Sequence, residues 1–400
     1  MMPPDLSRFN VLKKTSLLIC FALSVGLAAC SSSGPSSSSS STDPESESPS
    51  SVVESGASVC PRNIVIQTDW WPELEHGGTY QLIGTRGVIN KTSFRYSGPI
   101  QPQYGAGGVE TVEIRAGGDA IGTSVTNEIK TDDSITFAYV TLGGAMKVSA
   151  SSPVVGVAKT LEIDPQILYW DPSQTTITGP TDLKKSSKTV NHFDGMTYID
   201  WFISQDYMSA AQSNPSYTGA PSDWISQGGD LVQQGFATNE VYKYENIYKW
   251  KNGAPAPVQY ALLSDWGFPD YPAMLSVRAD KLASLTPCLK VLIPKIQSAW
   301  VDYLNEPTPI TDLITTINDS YDTFWKTSPE LNAAGLKILE LNKMAANSKD
   351  GTYCSFDKER VASMAGILGD LFVKRGVQVA DDLTAVVTNE FCANAPGRDG

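Results

Sequence analysis

Asn63-Ile64-Val65-Ile66-Gln67-Thr68-Asp69-Trp70-Trp71-Pro72-Glu73-Leu74-Glu75-His76-Gly77-Gly78-Thr79-Tyr80 changes character twice. Its first five residues are a β-branched run, which reads as a buried strand. Asp69, Pro72 and the Gly77-Gly78 pair then break regular structure, so the strand empties into a loop that leads on to a helix. Working outward, the same alternation recurs. Strands are expected over 111–114, 134–139 and 153–158, with a helix ending at Lys130, and again over 189–193, 231–236, 259–264 and 273–278, with a helix over 196–202. From Pro294 onward apolar residues recur at three- and four-residue spacing, as in Leu336, Leu339 and Met344 or Val361, Met364 and Leu368, which predicts helices.

Alternating strands and helices imply an α/β fold with mostly parallel sheets. In such sheets ligands gather at the carboxyl ends of the strands. The polar and aromatic clusters fall at those ends: Asp69-Trp70-Trp71, Gly117-Gly118-Asp119, Tyr139, Asp194-Gly195, Asn239-Glu240 and Asp265-Trp266.

The chain begins differently. Arg8, Lys13 and Lys14 precede an apolar run over 15–29, too short for the ~20 residues a spanning helix needs but suited to an export signal. Leu27-Ala28-Ala29-Cys30 is a bacterial lipobox pattern, so residues 1–29 read as a lipoprotein signal peptide and Cys30 as the lipid acceptor. The alternative is an ordinary cleaved signal with an incidental Cys30. Residues 30–60 are serine-rich and cannot bury enough apolar surface to fold, which makes them a flexible tether. The expected location is the outer face of the cell membrane, reached through the lipid.

Formal net charge is −13, and about −15 once the leader is removed. An acidic body repels phosphates and argues against nucleic acid as a partner. Cys20 leaves with the leader, and Cys60, Cys288, Cys354 and Cys392 remain for the body. Four cysteines in an exported chain allow three disulfide pairings, of which Cys60–Cys288 with Cys354–Cys392 is favoured. With two histidines and no Cys-x-x-Cys spacing, neither a metal site nor a cofactor is expected.

The segment Asp69 to Tyr80 resembles the opening motif of the NMT1/thiamine-pyrimidine-like solute-binding proteins of ABC importers. Gly235-Phe236-Ala237-Thr238-Asn239-Glu240 resembles that family's motif in the second lobe, and Pro272-Ala273-Met274-Leu275-Ser276-Val277-Arg278 its returning strand. The resemblance implies a two-lobed periplasmic-binding-protein type II fold with two crossover segments, near 154–162 and 271–278, and a ligand cleft between the lobes. Lobe one would be 61–157 with 275–400, and lobe two 158–274. Between Ile83 and Val109 the chain departs from the family: a Gly-containing stretch and the Pro- and Gly-rich 97–108 stand in place of a smooth helix.

Candidate ligand contacts follow, each with a plainer alternative. Trp70 and Trp71 are adjacent at a strand end, where neighbours point to opposite faces, so one can wall the cleft while the other enters the core. His76 precedes Gly77-Gly78 at a helix start, where backbone amides could meet an acceptor, although a lone histidine is commonly structural. Tyr80 is either a contact or a core residue. Tyr139 and Thr141 follow a strand and could offer hydroxyls, or simply cap it. Asp119 lies in a cleft loop, and Asp194 could contact ligand or cap the next helix. Asn239 and Glu240 match the second-lobe motif, and Trp266 with Asp265 could close the cleft. Acids outnumber cations in these loops, which favours a neutral or cationic ring compound, such as a thiamine pyrimidine precursor or a flavin, over nitrate or sulfonate.

The expected function is that of a non-catalytic, monomeric solute-binding lipoprotein serving an ABC permease and its ATPase. Anion binding is one alternative. A pyrimidine-synthase-like enzyme that consumes its own histidine is another, and a surface sensor without transport is a third.

Overall fold

The computed structural model describes residues 58–398. The export signal, Cys30 and most of the serine-rich segment lie outside the described residues. No helix among the described residues is long and apolar enough to cross a membrane.

Twelve strands form two sheets: β1 (Asn63–Gln67), β2 (Val88–Asn90), β3 (Arg95–Pro99), β4 (Thr111–Arg115), β5 (Phe137–Val140), β6 (Val154–Ala158), β7 (Gln166–Trp170), β8 (Val190–Asn191), β9 (Ser213–Asn214), β10 (Val232–Phe236), β11 (Gln259–Leu262) and β12 (Met274–Arg278). One sheet has the order β2-β3-β4-β1-β5-β12-β6 and the other β11-β7-β10-β8-β9. The chain passes from the first sheet to the second between Ala158 and Gln166 and returns between Leu262 and Met274.

The sheets are mixed, which corrects the expectation of mostly parallel pairing. β1 runs parallel to β4 and β5, and β8 to β9 and β10. The strands on either side of each passage account for several of the antiparallel pairs: β12 against β5 and β6, and β7 against β10 and β11. The segment that departs from the family pattern supplies the rest, because β2 and β3 form a hairpin that extends the first sheet beyond β4. β7, in Gln-Ile-Leu-Tyr-Trp, is a further strand the sequence reading passed over.

Burial follows from these pairings. β5, an inner strand, and β6, at the sheet's edge, are both buried along their whole length, whereas β4 alternates. The long helix Leu282–Asn305 covers the first sheet, burying Leu289, Ile293, Ile296 and Trp300. Cys60 is bonded to Cys288 in that helix, and Cys354 to Cys392 near the end of the chain. Val59 and Cys60 also donate backbone hydrogen bonds to the Gly107 carbonyl, so the last residues assigned to the tether are held against the folded body.

Candidate functional site

Some of the strand ends named above, those after β1 and β10, meet others at one cavity of about 290 Å³. β1 delivers Asp69, Trp70 and Glu73 in the loop that follows it, and β5 delivers Thr141. From the second sheet come Phe193 and Met196 after β8, Tyr217 and Gly219 after β9, and Gln234, Gly235, Phe236 and Glu240 around the end of β10. The two passages contribute Asp164, Gln166 and Pro272, and Trp325 reaches in from the loop between helices Thr308–Tyr321 and Pro329–Leu341.

The walls are aromatic. Trp70 meets Phe193 at 5.2 Å between ring centroids and Trp325 at 5.5 Å with planes 87° apart. Phe193 in turn lies 4.9 Å from Tyr217. The edge-to-face packing around Trp70 suits the ring quadrupoles and fixes the orientation of that wall. Gly219 leaves room for this arrangement, since a Cβ there would stand 2.5 Å from the Trp70 ring.

The polar lining is acidic. Among the described residues, four carboxyl groups and no Lys, Arg or His line the cavity. Asp69 Oδ1 is 2.9 Å from His76 Nε2. Glu240 Oε2 accepts the Phe236 amide at 2.7 Å, and Asp164 accepts the Gln166 amide at 2.9 Å. Burial pushes Asp164 up to about 8, with Asp270 adding repulsion, and burial likewise raises Glu240. Glu73 is held well above the usual carboxylate range by burial and by the carboxyls of Glu75, Asp69 and Glu240. Glu75, behind it, is pushed up to about 7 by burial and accepts a hydrogen bond from the Thr238 hydroxyl, which ties the β1 loop to the loop after β10. Lys243 is buried near these acids, its ammonium 3.9 Å from the Trp325 ring centroid, and burial lowers it to about 8.

Of the residues singled out from sequence, Asp69, Trp70, Thr141 and Glu240 line the cavity. Thr141 also caps its helix by accepting the Gly144 amide at 3.0 Å. The others lie elsewhere. Trp71 turns into the core against Phe94 and Tyr321, and Tyr80 is buried beside Tyr96. Tyr139 is buried with its hydroxyl on Thr79. His76 is fully buried behind Asp69. Two amides at that turn are already used, His76 N–H on the Glu73 carbonyl and Gly77 N–H on the Leu74 carbonyl. Asp119 and Asp194 are exposed beyond the cavity lining. Asn239 is buried at the N-cap of helix Glu240–Asn246 with its Oδ1 unpartnered, and Trp266 stacks on Trp170 in a separate core.

Sequence reasoning missed Phe193, Tyr217, Asp164 and Trp325. Phe193 adjoins the proposed Asp194, and a one-residue parity argument at the end of β8 would have found it. Asp164 and Trp325 carry no local signal, because each is brought in by tertiary packing alone.

No protein-family model matches the chain, and no curated protein matches its sequence. Its structure is similar to that of the periplasmic aliphatic sulphonate binding protein SsuA from Escherichia coli, at TM-score 0.51 and 10% identity over 85% of this chain and 96% of that one. It is also similar to the periplasmic nitrate-binding protein NrtA from Synechocystis PCC 6803, at TM-score 0.50 and 11% identity over 82% of this chain and 87% of that one. At such identities the likeness is one of architecture: this chain has the α/β fold of the periplasmic binding proteins.

Proposed function

We propose that this protein is the solute-binding component of an ABC importer, held by a lipid on Cys30 at the outer face of the cell membrane. It captures a small neutral or cationic ring compound, of the kind represented by a thiamine pyrimidine precursor or a flavin, and passes it to a permease. The observation that carries this reading is the cavity itself. It is lined from both sheets and both passages between them, so a bound solute would bridge the two halves of the molecule. Its aromatic walls suit a flat ring. The anion alternative is disfavoured by the lining, since nitrate or a sulfonate calls for cationic or clustered N–H donors and no basic side chain among the described residues lines the cavity. The histidine-consuming enzyme is disfavoured by His76, which is wholly buried and outside the lining.

Mass spectrometry of small molecules released on denaturing full-length protein purified from its host tests the reading. A stoichiometric, ring-bearing, uncharged or cationic compound is the expected result. Release of a sulfonate or nitrate would overturn the ligand class. No bound molecule, together with no thermal shift across a broad metabolite panel, would overturn solute binding itself.

A further inference from the structure

We propose that the cavity is an organic-cation site in which the ligand's ammonium group, a protonated amine or a quaternary nitrogen, is the counter-ion of Glu73. This rests on the solute-binding reading and narrows its ligand class.

The argument starts from hydrogen-bond inventory. Asp69, Asp164 and Glu240 each have a donor within the protein. Glu73 lines the same cavity and is 5% exposed, and its carboxyl accepts no hydrogen bond among the described residues. Its nearest base, His76 Nε2, stands 3.6 Å away and is engaged at 2.9 Å by Asp69. A buried carboxyl is costly unless it is paired. Here one faces a cavity with only that long, shared contact to His76, and with Asp69, Glu75 and Glu240 around it.

The protein's own nearby cation does not fill the role. Lys243 lies on helix Glu240–Asn246, and its ammonium rests on the Trp325 ring without reaching any carboxylate oxygen within 4.0 Å. That contact also shows an indole of this wall holding an ammonium on its face. Trp70, Phe193 and Tyr217 supply further ring faces and edges, with Trp70 and Trp325 nearly perpendicular. Aromatic corners of this kind attract quaternary and protonated amines through the ring quadrupole. A divalent metal is a poor occupant. Calcium seeks six to eight oxygens, and no three of the described His, Cys, Asp and Glu side chains are arranged to hold a metal ion.

Isothermal titration of the full-length protein with benzylamine, its near-isosteric neutral counterpart benzyl alcohol, and benzenesulfonate tests the proposal. Benzylamine is expected to bind at least about tenfold more tightly than either. Glu73→Gln should weaken benzylamine by a similar factor and leave benzyl alcohol within about twofold. Equal or tighter binding of benzyl alcohol overturns the cation site while solute binding stands. Preference for benzenesulfonate overturns it in favour of the anion alternative. Binding of none of the three, with no small molecule released from the native protein, overturns both proposals.

Discussion

Trp70 and Trp71 are the sharpest test at the scale of single residues, because they are chemically identical neighbours with opposite surroundings. Trp70 walls the cavity, and Trp71 is buried among Phe94 and Tyr321. Trp70→Ala is expected to lower affinity for the native ligand by at least about tenfold with little loss of melting temperature. Trp71→Ala should cost about 3–5 kcal/mol of stability, the usual loss for deleting a buried aromatic. Calorimetry and denaturant titration of the two variants check this, and equal effects on binding would refute the division. Strand parity made this split readable in the sequence without saying which tryptophan went where. His76 was readable only as a rare residue at a break, since nothing local shows that Asp69 would turn back onto it. Asp164 and Asp270 carry a second prediction at this scale. Burial raises both, to about 8 and about 6, and raises Glu75 to about 7. The folded state therefore holds more protons than the unfolded one between their unfolded values near pH 4 and those folded values. Their contribution to stability is greatest at the acid end of that window and is lost as pH rises through it. His192, lowered by burial, acts in the opposite sense near pH 6.5, and Lys243 does so only above pH 8. The melting temperature of ligand-free protein should fall between pH 5 and pH 8, and Asp164→Asn should flatten the fall. A rising profile in the unaltered protein would contradict this.

Among the elements, Gly77-Gly78 shows why a motif can be recognised for the wrong reason. Its place at a helix start suggested open amides for a ligand. The structure instead uses the missing side chains, since a Cβ on Gly77 would stand 2.1 Å from the Tyr303 ring and one on Gly78 2.2 Å from the Trp300 ring. The short helix Gly77–Gln81 can therefore lie flush on helix Leu282–Asn305, which fixes the loop carrying Asp69, Trp70 and Glu73. Gly78→Ala is expected to destabilise by about 1–3 kcal/mol, as overpacking does, and to weaken ligand binding in parallel. Urea titration with binding measured on the same samples checks both. Arg360, on helix Lys358–Lys374, has a comparable role at the passages between sheets. Its guanidinium donates to the carbonyls of Glu162, Pro269 and Asp270 and stacks on Tyr271 at 3.7 Å. One side chain thus holds both passages, which no spacing rule in the sequence could reveal. The β2–β3 hairpin was hidden for a different reason, because β2 has only three residues and β3 carries Gly98 and Pro99.

For the whole molecule, most of the strands were legible because each keeps its own hydrophobic pattern wherever it finally pairs. The mixed pairing was not, since direction depends on where the chain re-enters a sheet. The cysteines lie between these cases: their number limited the pairings, and the fold makes Cys60–Cys288 and Cys354–Cys392. The two bonds should differ in what they contribute. Cys60–Cys288 spans 228 residues of sequence and Cys354–Cys392 spans 38. In the chain-entropy account, cross-linking removes freedom from the unfolded chain in proportion to the logarithm of the loop. That gives on the order of 5 kcal/mol for the longer loop and about 4 for the shorter. The longer bond also ties the residues just before β1 to helix Leu282–Asn305, the helix that supports the cavity loop, so its loss should be felt at the site. Replacing Cys60 and Cys288 together by Ser is therefore expected to lower the melting temperature more than replacing Cys354 and Cys392, and to weaken ligand binding as well. Scanning calorimetry of the two double variants, with binding measured well below their melting temperatures, decides the matter. If the Cys354–Cys392 pair proves the larger contributor, native packing rather than loop closure sets the value of these bonds.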